Sequence, residues 1–501
     1  MSTDDATGTF EVYAIVGDDR IGSKTRSHGP LAAGFVPAVS PSSGKTFANV
    51  LNGDAATADA AVRAAAAAFP EWAATPPARR ADVLRRIAAA VVEQRERLAH
   101  VLSMDQGKPL LAEAYDEVDE LAAYFSMAAE DAPRLDGTLP ASVSAERRVA
   151  VHRVPLGVVG VVTPWNWPYT MGAELLAPAM AAGNTVVWVP APTTSACSGV
   201  LAELVVRSAV PPGVFNFVPG PGPVVGDAVV GHPQVSGVGF IGSVETGSSV
   251  AARAAGKAQI LELGGNGPMV VLADADLDLA AEAALEAAYL CAGQSCTAGE
   301  RFLVEEPVVG AFVERVVELT RSRVRVGDPF DEATTMGPLN NEPTAEKFAR
   351  HVAGALAQGA RLCLGGKRMS GLPTDLYVEP TVLDRVTPDM AIAREETFGP
   401  VVPVIAVRSA HHALELANAS PYGLTAAVFT GDLEHGLEFA ERVRAGWVNV
   451  NASTNLWESH LPFGGRAGSV SGRGRVGGRC VLEAFSETKT VVFPRPDGLL
   501  R

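Results

Sequence analysis

The spacing of apolar and polar residues predicts helices in the N-terminal part of the chain. Alanine-rich stretches with arginine and glutamate at helical intervals predict amphipathic helices at 58–69 and 78–104. Pro77 suits the first turn of the second helix, because a proline there loses no intrahelical hydrogen bond. The helical pattern continues between 107 and 132. Residues 1–33 show no period and are predicted to form an irregular arm.

From residue 157 onward, short β-branched runs alternate with helical segments. Such alternation is typical of βαβ units and of a largely parallel sheet. The first series predicts helices at 174–182 and 201–208, and strands at 158–162, 185–189, 214–218, 235–240, 259–263 and 269–272. A second series runs from 301 to about 450, and β-like runs lie at 134–154 and 488–493. The pattern therefore predicts an α/β fold with two such domains and a small β element.

Composition and charge exclude several classes of protein. The chain has 501 residues, of which 47% are hydrophobic and 19% charged, which is typical of a globular protein with a large core. The formal net charge of −15 argues against a general nucleic-acid binder, which needs a basic face. No stretch reaches the ~20 apolar residues of a membrane helix, and the acidic N-terminus is unlike a secretory signal. Five scattered cysteines favour a reducing cytoplasm over a disulfide framework.

Three segments carry side chains suited to catalysis. Cys296 lies among small residues after a predicted helix, which would leave its thiol accessible as a nucleophile. Glu262 lies between two leucines at a strand end, where its pKa would rise and suit it to act as a general base. Asn166 lies between Trp165 and Trp167, and a rigid amide there could donate to an oxyanion. Taken alone, each also has a structural interpretation: a buried thiol, an exposed strand end or an ordinary turn.

A glycine-rich segment at 472–477 matches the spacing G-x-G-x-x-G of dinucleotide-binding loops. That motif needs a preceding strand, a following helix and an acidic residue about 20 positions further on, whereas this segment lies in a polar loop near the C-terminus. We therefore interpret it as a surface loop. Cys291 precedes Cys296 closely, but two thiols alone predict no metal site.

The order of these segments points to a known family. The sequence contains Pro164-Trp165-Asn166-Trp167-Pro168, Gly242-Ser243-Val244-Glu245-Thr246-Gly247, Glu262-Leu263-Gly264-Gly265 and Gly293-Gln294-Ser295-Cys296. Downstream it continues with Glu395-Glu396-Thr397-Phe398-Gly399-Pro400 and Pro462-Phe463-Gly464-Gly465. In this order, and over almost the whole chain, these motifs closely resemble those of the aldehyde dehydrogenase superfamily.

The resemblance implies an architecture and an assembly. It implies a Rossmann-like dinucleotide-binding domain formed by 1–133 and 153–264, and a catalytic domain at 265–481. Both would be doubly wound α/β domains. Residues 134–152 and 482–501 would form a β-arm for oligomerisation, so a homodimer or homotetramer is expected.

The resemblance also implies a mechanism of the hydrolytic, non-acylating type. The Cys296 thiolate attacks the aldehyde carbon, and the oxyanion of the thiohemiacetal accepts hydrogen bonds from the Asn166 side chain and a backbone N–H. After hydride transfer to the nicotinamide, Glu262 deprotonates the water that hydrolyses the thioester. The presence of Glu262 favours a free carboxylic acid as the product over transfer to coenzyme A.

The cofactor implied by the resemblance is NAD or NADP. Glu396 would hold the nicotinamide ribose, and Phe398 would pack near the ring. Gly242 and Ser243 would lie by the pyrophosphate at a helix N-terminus. The other residues expected along the cofactor are Thr163, Pro164, Trp165, Val189, Gly222, Gly226, Phe240 and Leu263.

Several residues depart from the family pattern. Val189-Pro190-Ala191-Pro192 stands where members usually have Lys-Pro-Ala/Ser-Glu, whose charged side chains grip the adenine ribose. The sequence therefore leaves the choice between NAD and NADP open. Leu175 and Asn266 stand where lysines are usual, and Cys291 stands at a common asparagine position.

The aldehyde pocket implied by the resemblance has aromatic walls, which suit an apolar or aromatic substrate. Glu174 falls where relatives acting on succinate semialdehyde tend to carry arginine, and a carboxylate there would repel an anion. We therefore expect a neutral or cationic aldehyde. The expected lining residues are Trp167, Met171, Glu174, Ser295, Thr297, Trp457 and Phe463.

Two other functions remain open at this point. The lost ribose contacts leave room for a cysteine thioesterase or esterase that uses Cys296 and Glu262 with little need for a dinucleotide. The chain could also be an inactive scaffold, although it retains Cys296, Glu262, Asn166 and Glu396 together.

Overall fold

The strands form four sheets within residues 9–22 and 34–495, which are the residues that the computed structural model describes. The first sheet has eight strands in the order β3 (Asp19–Ile21), β2 (Ala14–Val16), β9 (Phe215–Phe217), β8 (Thr185–Val189), β7 (Val158–Val162), β10 (Val235–Gly242), β11 (Ala258–Leu263) and β19 (Gly472–Arg473). The five strands from β9 to β11 are parallel, and β2, β3 and β19 add antiparallel edges.

The second sheet has seven strands in the described chain. Their order is β14 (Arg361–Leu364), β15 (Thr381–Asp384), β16 (Val401–Val407), β13 (Gly299–Glu305), β12 (Gly267–Val271), β17 (Thr425–Phe429) and β18 (Trp447–Val450). All pair in parallel except β14, which is antiparallel to β15. β7, β8, β12 and β17 are almost wholly buried, as expected for parallel sheets covered on both faces.

Two small sheets complete the β structure of the described residues. One consists of β1 (Phe10–Val12), β5 (Thr46–Leu51) and β4 (Phe35–Val39). In the other, β6 (Arg147–Pro155) pairs antiparallel with β20 (Ser486–Pro494) along nine residue pairs. We call this two-stranded sheet the arm.

The helices connect and cover these sheets. They are α1 (Ala55–Ala74), α2 (Pro77–Glu93), α3 (Arg95–Gln106), α4 (Tyr115–Asp131), α5 (Thr170–Ala181), α6 (Ser195–Arg207), α7 (Asp227–Gly231), α8 (Val244–Arg253), α9 (Leu277–Tyr289), α10 (Val309–Arg323), α11 (Glu342–Ala357), α12 (Ala391–Arg394), α13 (Ala410–Asn418), α14 (Leu433–Arg442) and α15 (Cys480–Ala484). As the sequence predicts, α2 begins at Pro77. In the part of the chain described, no helix is both long and apolar enough to cross a membrane.

Short helical turns occupy some of the connections. Two π-helical turns lie at Leu110–Ala114 and Gly222–Gly226. Turns of 3₁₀ type lie at Ala132–Arg134, Pro192–Thr194, Leu290–Gly293 and Glu306–Val308.

Three predictions from the sequence need correction. The irregular arm expected before residue 33 is partly wrong, because 10–21 form β1, β2 and β3, whose three-residue runs are too short to show a period. The predicted helix at 78–104 is divided at Gln94, which ends α2 and directly precedes α3. The supposed surface loop at 472–477 begins with β19, which pairs with β11 in register with Glu262.

The domain division at 1–133 with 153–264, 265–481, and 134–152 with 482–501 stays a prediction. The first sheet draws its strands from the first of these segments, apart from β19. The second sheet lies within 265–481, and β20 lies within the last segment.

Candidate active site

Cys296 lies in the loop that leads from α9 to β13, where the backbone has an unusual conformation. Three successive residues, Cys291, Ala292 and Gly293, have positive φ angles of 53°, 53° and 74°. A side chain on Gly293 would place its Cβ 2.3 Å from the carbonyl oxygen of Gly399. Glycine at this position therefore lets the loop pass directly against the segment that precedes β16.

Glu262 approaches Cys296 from the first sheet. It is the last residue but one of β11 and is 4% exposed. Gly265 follows the strand, and a Cβ on it would lie 2.0 Å from the carbonyl oxygen of Cys296. The absence of a side chain at Gly265 lets these two segments touch, and the thiol and the carboxyl line the same cleft.

Burial and like charge raise the pKa of both groups. Burial raises the pKa of Glu262 well above its usual value, the neighbouring Glu174 raises it further, and a hydrogen bond from the thiol partly offsets the shift. Burial likewise raises the pKa of the Cys296 thiol, and the charge of Glu262 adds to that rise. Among the described residues, Glu262 Oε1 has no hydrogen-bond partner. The resting site thus holds the Cys296 thiol and the Glu262 carboxyl side by side, and burial favours the protonated form of both.

Asn166 lies in the loop between β7 and α5 and is 3% exposed. Its Nδ2 donates a hydrogen bond to the carbonyl oxygen of Gln294 at 3.0 Å. Gln294 is held in turn, because its Nε2 donates to the carbonyl oxygen of Cys291 at 2.8 Å and its Oε1 accepts from the backbone N–H of Asn340 at 2.8 Å. One N–H of the Asn166 amide therefore fixes it against the loop of Cys296, and the second remains available to a ligand.

A buried ion pair supports the loop of Asn166 from behind. Lys108 Nζ lies 2.6 Å from Glu117 Oε2 and 3.7 Å from the centroid of the Trp167 ring. Both charged side chains are 1% exposed. Glu117 Oε1 also accepts from the backbone N–H of Tyr169 at 2.9 Å. This pair holds the start of α5 and one wall of the cleft in place.

The cleft contains every side chain that the sequence analysis assigned to an aldehyde pocket. Its space not filled by atoms measures about 470 Å³, part of it open to solvent. It is lined by Cys296 and Glu262, by the seven expected residues Trp167, Met171, Glu174, Ser295, Thr297, Trp457 and Phe463, and by Thr170, Ile241, Leu290, Asn455 and Val476. Sequence reasoning missed Asn455, which accepts hydrogen bonds from the hydroxyls of Ser295 and Thr297. No sequence motif marks it.

Glu174 differs from the repelling carboxylate that the sequence suggests. It is 4% exposed, and its Oε1 accepts a hydrogen bond from the Tyr124 hydroxyl at 3.1 Å. Burial raises the pKa of Glu174 to about 8. At neutral pH most of this carboxyl is therefore protonated, and its repulsion of anions is weaker than the sequence analysis assumes.

Residues expected to hold the nicotinamide end of a dinucleotide lie next to Glu262. Glu396 Oε1 accepts from the backbone N–H of Gly265 at 2.9 Å, and burial raises the pKa of Glu396 to about 7. A Cβ on Gly264 would lie 2.8 Å from both carboxyl oxygens of Glu396, so glycine is needed there. The rings of Trp165 and Phe398 meet edge to face at 5.5 Å.

The other expected cofactor residues follow the carboxyl ends of the parallel strands, where open α/β sheets bind ligands. Ser243 caps α8, and its hydroxyl accepts from the backbone N–H of Thr246 at 3.2 Å. A Cβ on Gly222 or Gly226 would meet open space. The same edge of the sheet also contains Thr163, Pro164, Phe240, Gly242 and Leu263.

At the adenosine end of the expected dinucleotide site, two residues differ from those usual in the family. Val189 is 0% exposed and packs in the core, so its side chain offers no contact to a ribose. Pro192, where an acidic residue is usual, is exposed. The residues present therefore fit the nicotinamide half of a dinucleotide, and the ribose of the other half finds neither a lysine nor a glutamate at these two positions.

Comparison with known proteins identifies the family. Residues 31–491 match the model described as aldehyde dehydrogenase family. The chain belongs to this family. It is 39% identical to retinaldehyde dehydrogenase 3 of Rattus norvegicus over 93% of this chain and 91% of that protein. It is 37% identical to 3-sulfolactaldehyde dehydrogenase of Pseudomonas putida over 90% of this chain and 94% of that protein.

Solved structures agree with this assignment. An NAD-dependent aldehyde dehydrogenase from Sinorhizobium meliloti superposes with a TM-score of 0.91, at 36% identity, over 100% of this chain and 99% of that one. An NADP-dependent enzyme from E. coli has a TM-score of 0.91 at 33% identity, over 99% and 100% of the two chains. These findings confirm the predicted fold class and the prediction of NAD(P)-dependent aldehyde oxidation. They do not favour a thioesterase or an inactive scaffold.

Three other residues that depart from the family pattern lie in the interior of this aldehyde dehydrogenase. Leu175 is 0% exposed and packs against Gly239. Asn266 is 1% exposed; its Nδ2 donates to the carbonyl oxygen of Glu395 at 3.4 Å, and its Oδ1 has no partner among the described residues. Cys291 is a buried thiol that accepts from Gln106 Nε2 at 3.3 Å.

Replacing Glu262 is expected to make the Cys296 thiol more reactive. Glu262→Gln removes a negative charge that raises the thiol pKa, so the curve of alkylation rate against pH should move to lower pH. At a fixed pH below the thiol pKa, each unit by which that pKa falls should raise the alkylation rate about tenfold. The measurement is iodoacetamide labelling followed by mass spectrometry of the peptide that contains Cys296. Glu282→Gln, on the exposed side of α9, is the control. An unchanged curve in Glu262→Gln would contradict the coupling.

Proposed function

We propose that this aldehyde dehydrogenase oxidises its substrate to a free carboxylic acid with Cys296 as nucleophile, Asn166 as oxyanion donor and Glu262 as general base. The observation that carries the proposal is that the Cys296 thiol and the Glu262 carboxyl line one cleft, and that Glu262 Oε1 has no partner among the described residues. The thiol is protonated at rest because its pKa is raised. The thiol loses this proton to water in the cleft, which is partly open to solvent, and the sulfur attacks the aldehyde carbon as a thiolate.

The thiohemiacetal places a negative charge on the former carbonyl oxygen. The second N–H of the Asn166 amide and the backbone N–H of Cys296 can donate to it. Asn166 is held by Gln294 and needs no rearrangement to do so. When bound, NAD or NADP would supply the hydride acceptor that conversion of the thiohemiacetal to a thioester requires. Glu396, Phe398 and Trp165 would hold its nicotinamide end.

Hydrolysis then releases the acid. Glu262 accepts a proton from the attacking water, the bond between carbon and sulfur breaks, and Cys296 leaves as a thiolate. A base must be ionised to act, and burial raises the pKa of Glu262. Hydrolysis is therefore expected to become faster as pH rises through that pKa.

Two variants separate the steps of this mechanism. Cys296→Ala is expected to abolish formation of reduced nicotinamide. Glu262→Gln should retain a rapid first turnover of about one equivalent per active site and then slow by about 10²-fold or more, because only hydrolysis needs the base. Stopped-flow absorbance of the reduced nicotinamide measures both. Residual oxidation in Cys296→Ala would refute the assignment of the nucleophile.

For the substrate, we propose a neutral or cationic aldehyde with an apolar or aromatic body. Trp167, Met171, Trp457 and Phe463 supply apolar walls, and the Trp457 and Phe463 rings lie 5.8 Å apart. Glu174 is the acidic side chain among these walls, and a cationic group beside it would favour its ionised form.

Competing substrates test this proposal. We expect kcat/KM for benzaldehyde to exceed that for succinate semialdehyde by about tenfold or more, which corresponds to about 1.4 kcal/mol. The measurement is the initial rate of nicotinamide reduction with each aldehyde, run with NAD and with NADP. Propionaldehyde serves as a small neutral control. Equal values for benzaldehyde and succinate semialdehyde would contradict the proposal.

We also propose that the chain assembles into a homo-oligomer through the arm. A two-stranded sheet alone is only marginally stable in water. Strand β20 of the arm nevertheless exposes Val491, Val492 and Phe493, and Val492 is 53% exposed. A second copy of the chain would cover them.

A charge placed on the arm should dissociate the oligomer. Val492→Glu is expected to lower the molar mass measured by light scattering after size-exclusion chromatography, because a carboxylate would be buried without a partner. Val92→Glu on α2 is the matched control, since Val92 is 63% exposed and lies outside the arm. An unchanged mass in Val492→Glu would refute assembly through this surface.

We place the protein in the cytoplasm. The support is chemical: all five cysteines lie within the described residues, and all five are free thiols, which suits a reducing compartment.

A further inference from the structure

The general base Glu262 is enclosed, and the proton that it takes from water must leave the cleft. Glu262 is 4% exposed. Of the side chains that line the cleft in the described structure, the ones that ionise are Cys296, Glu262 and Glu174. Cys296 is the leaving group during hydrolysis, so Glu174 is the lining residue that can take the proton. Glu396, whose charge also acts on Glu262, lies outside the lining and accepts from the backbone N–H of Gly265. Leu175, which stands at a lysine position of the family, is buried and apolar.

Glu174 also lines a second cavity, whose lining does not include Cys296. This side cavity is bounded by Tyr124, Met127, Ala128, Asp131, Glu174, Pro178, Ser459, Gly477, Gly478 and Leu482. Glu174 is the residue common to the linings of the cleft and of the side cavity. In the same lining, the Asp131 side chain is 20% exposed and pairs with Arg134 at 3.6 Å. The side cavity is therefore bounded both by Glu174 and by a carboxylate that reaches solvent.

We propose that Glu174 is a proton relay that receives the proton from Glu262 during thioester hydrolysis and passes a proton to water in the side cavity beside Asp131. The relay rests on the function proposed above. Water oxygen bonds to the thioester carbon, the electron pair of the broken bond stays on the Cys296 sulfur, and the water proton moves to Glu262. One carboxyl oxygen of Glu174 then takes this proton, and Glu174 gives up a proton on the other side. The products are the carboxylic acid, the thiolate and a proton in solvent.

The surroundings of Glu174 suit this task. From α4, the Tyr124 hydroxyl donates to Glu174 Oε1 at 3.1 Å and fixes the carboxyl between the two cavities, and Glu120 adds a negative charge. From β11, Glu262 faces it with a pKa that is also raised. Burial raises the pKa of Tyr124 far above neutrality, so its hydroxyl keeps its proton and keeps donating. Burial raises the pKa values of both Glu174 and Glu262 above the usual value of a carboxyl, so each can hold a proton in the cleft near neutral pH.

The test uses Glu174→Gln, which keeps the shape of the side chain and removes its proton exchange. With the neutral substrate propionaldehyde, we expect the first equivalent of reduced nicotinamide to form at the rate of the unmodified enzyme. The following steady-state rate should fall about tenfold or more. Imidazole, a small diffusible proton carrier, should restore much of that rate in proportion to its concentration and leave the unmodified enzyme unchanged.

The control and a second variant keep the test decisive. Glu282→Gln removes an exposed carboxyl on α9 that lines neither cavity and should change the steady-state rate by less than about twofold. Ser459→Leu fills the side cavity without touching the cleft and should slow hydrolysis while the first turnover stays fast. A slow Glu174→Gln enzyme that imidazole does not restore, or one whose first turnover is slowed equally, would overturn the relay. Failure of the proposed function would appear separately, as oxidation that persists in Cys296→Ala.

Discussion

The two groups proposed for catalysis are attached to two different sheets. They meet because the backbone at the point of contact consists of glycine residues, which have no side chains. Glu262 belongs to β11 of the first sheet, whereas Cys296 precedes β13 of the second. Gly264 and Gly265 join the sheets, and the carbonyl oxygen of Cys296 occupies the space that a Cβ on Gly265 would need. A methyl group there would separate nucleophile and base, and the cleft, the position of Glu396 and the held amide of Asn166 all follow from this contact.

Bringing these elements together buries an unusual number of carboxyl groups. Glu113, Glu174, Glu262 and Glu300 are buried and Glu396 is half-buried, and all five have raised pKa values. Lys108 forms an ion pair with only one buried glutamate, Glu117. These carboxyl groups therefore exchange protons near neutral pH instead of forming ion pairs, which is the property that acid–base chemistry requires.

Much of the fold could be predicted from the sequence, because parallel strands are continuous apolar runs. The strands at 158–162 and 185–189 were predicted with their observed bounds. The same reasoning failed where structure depends on distant pairing. β19 is two residues long and exists because its glycine fits against β11, and the break at Gln94 lies in a sequence that is helical on both sides.

Prediction of the candidate active site from the sequence has the same limit. Motif residues such as Asn166, Glu262 and Cys296 could be named from the sequence, whereas Asn455, Tyr124 and the Lys108–Glu117 pair reach the site from remote segments with no local pattern. The ionisation state of Glu174 also depends on burial, which a sequence does not display.

Because β19 lies near the end of the chain, the first sheet can be completed only late in synthesis. The first sheet begins near residue 14, yet its last strand lies at 472–473, after every strand of the second sheet. During synthesis, the ribosome therefore releases Glu262 and Cys296 long before the segment that closes the sheet beside them. Phe463 and Val476, which line the cleft, are synthesised equally late. A chain cut short by a few dozen residues would contain both reactive side chains without the enclosure around them.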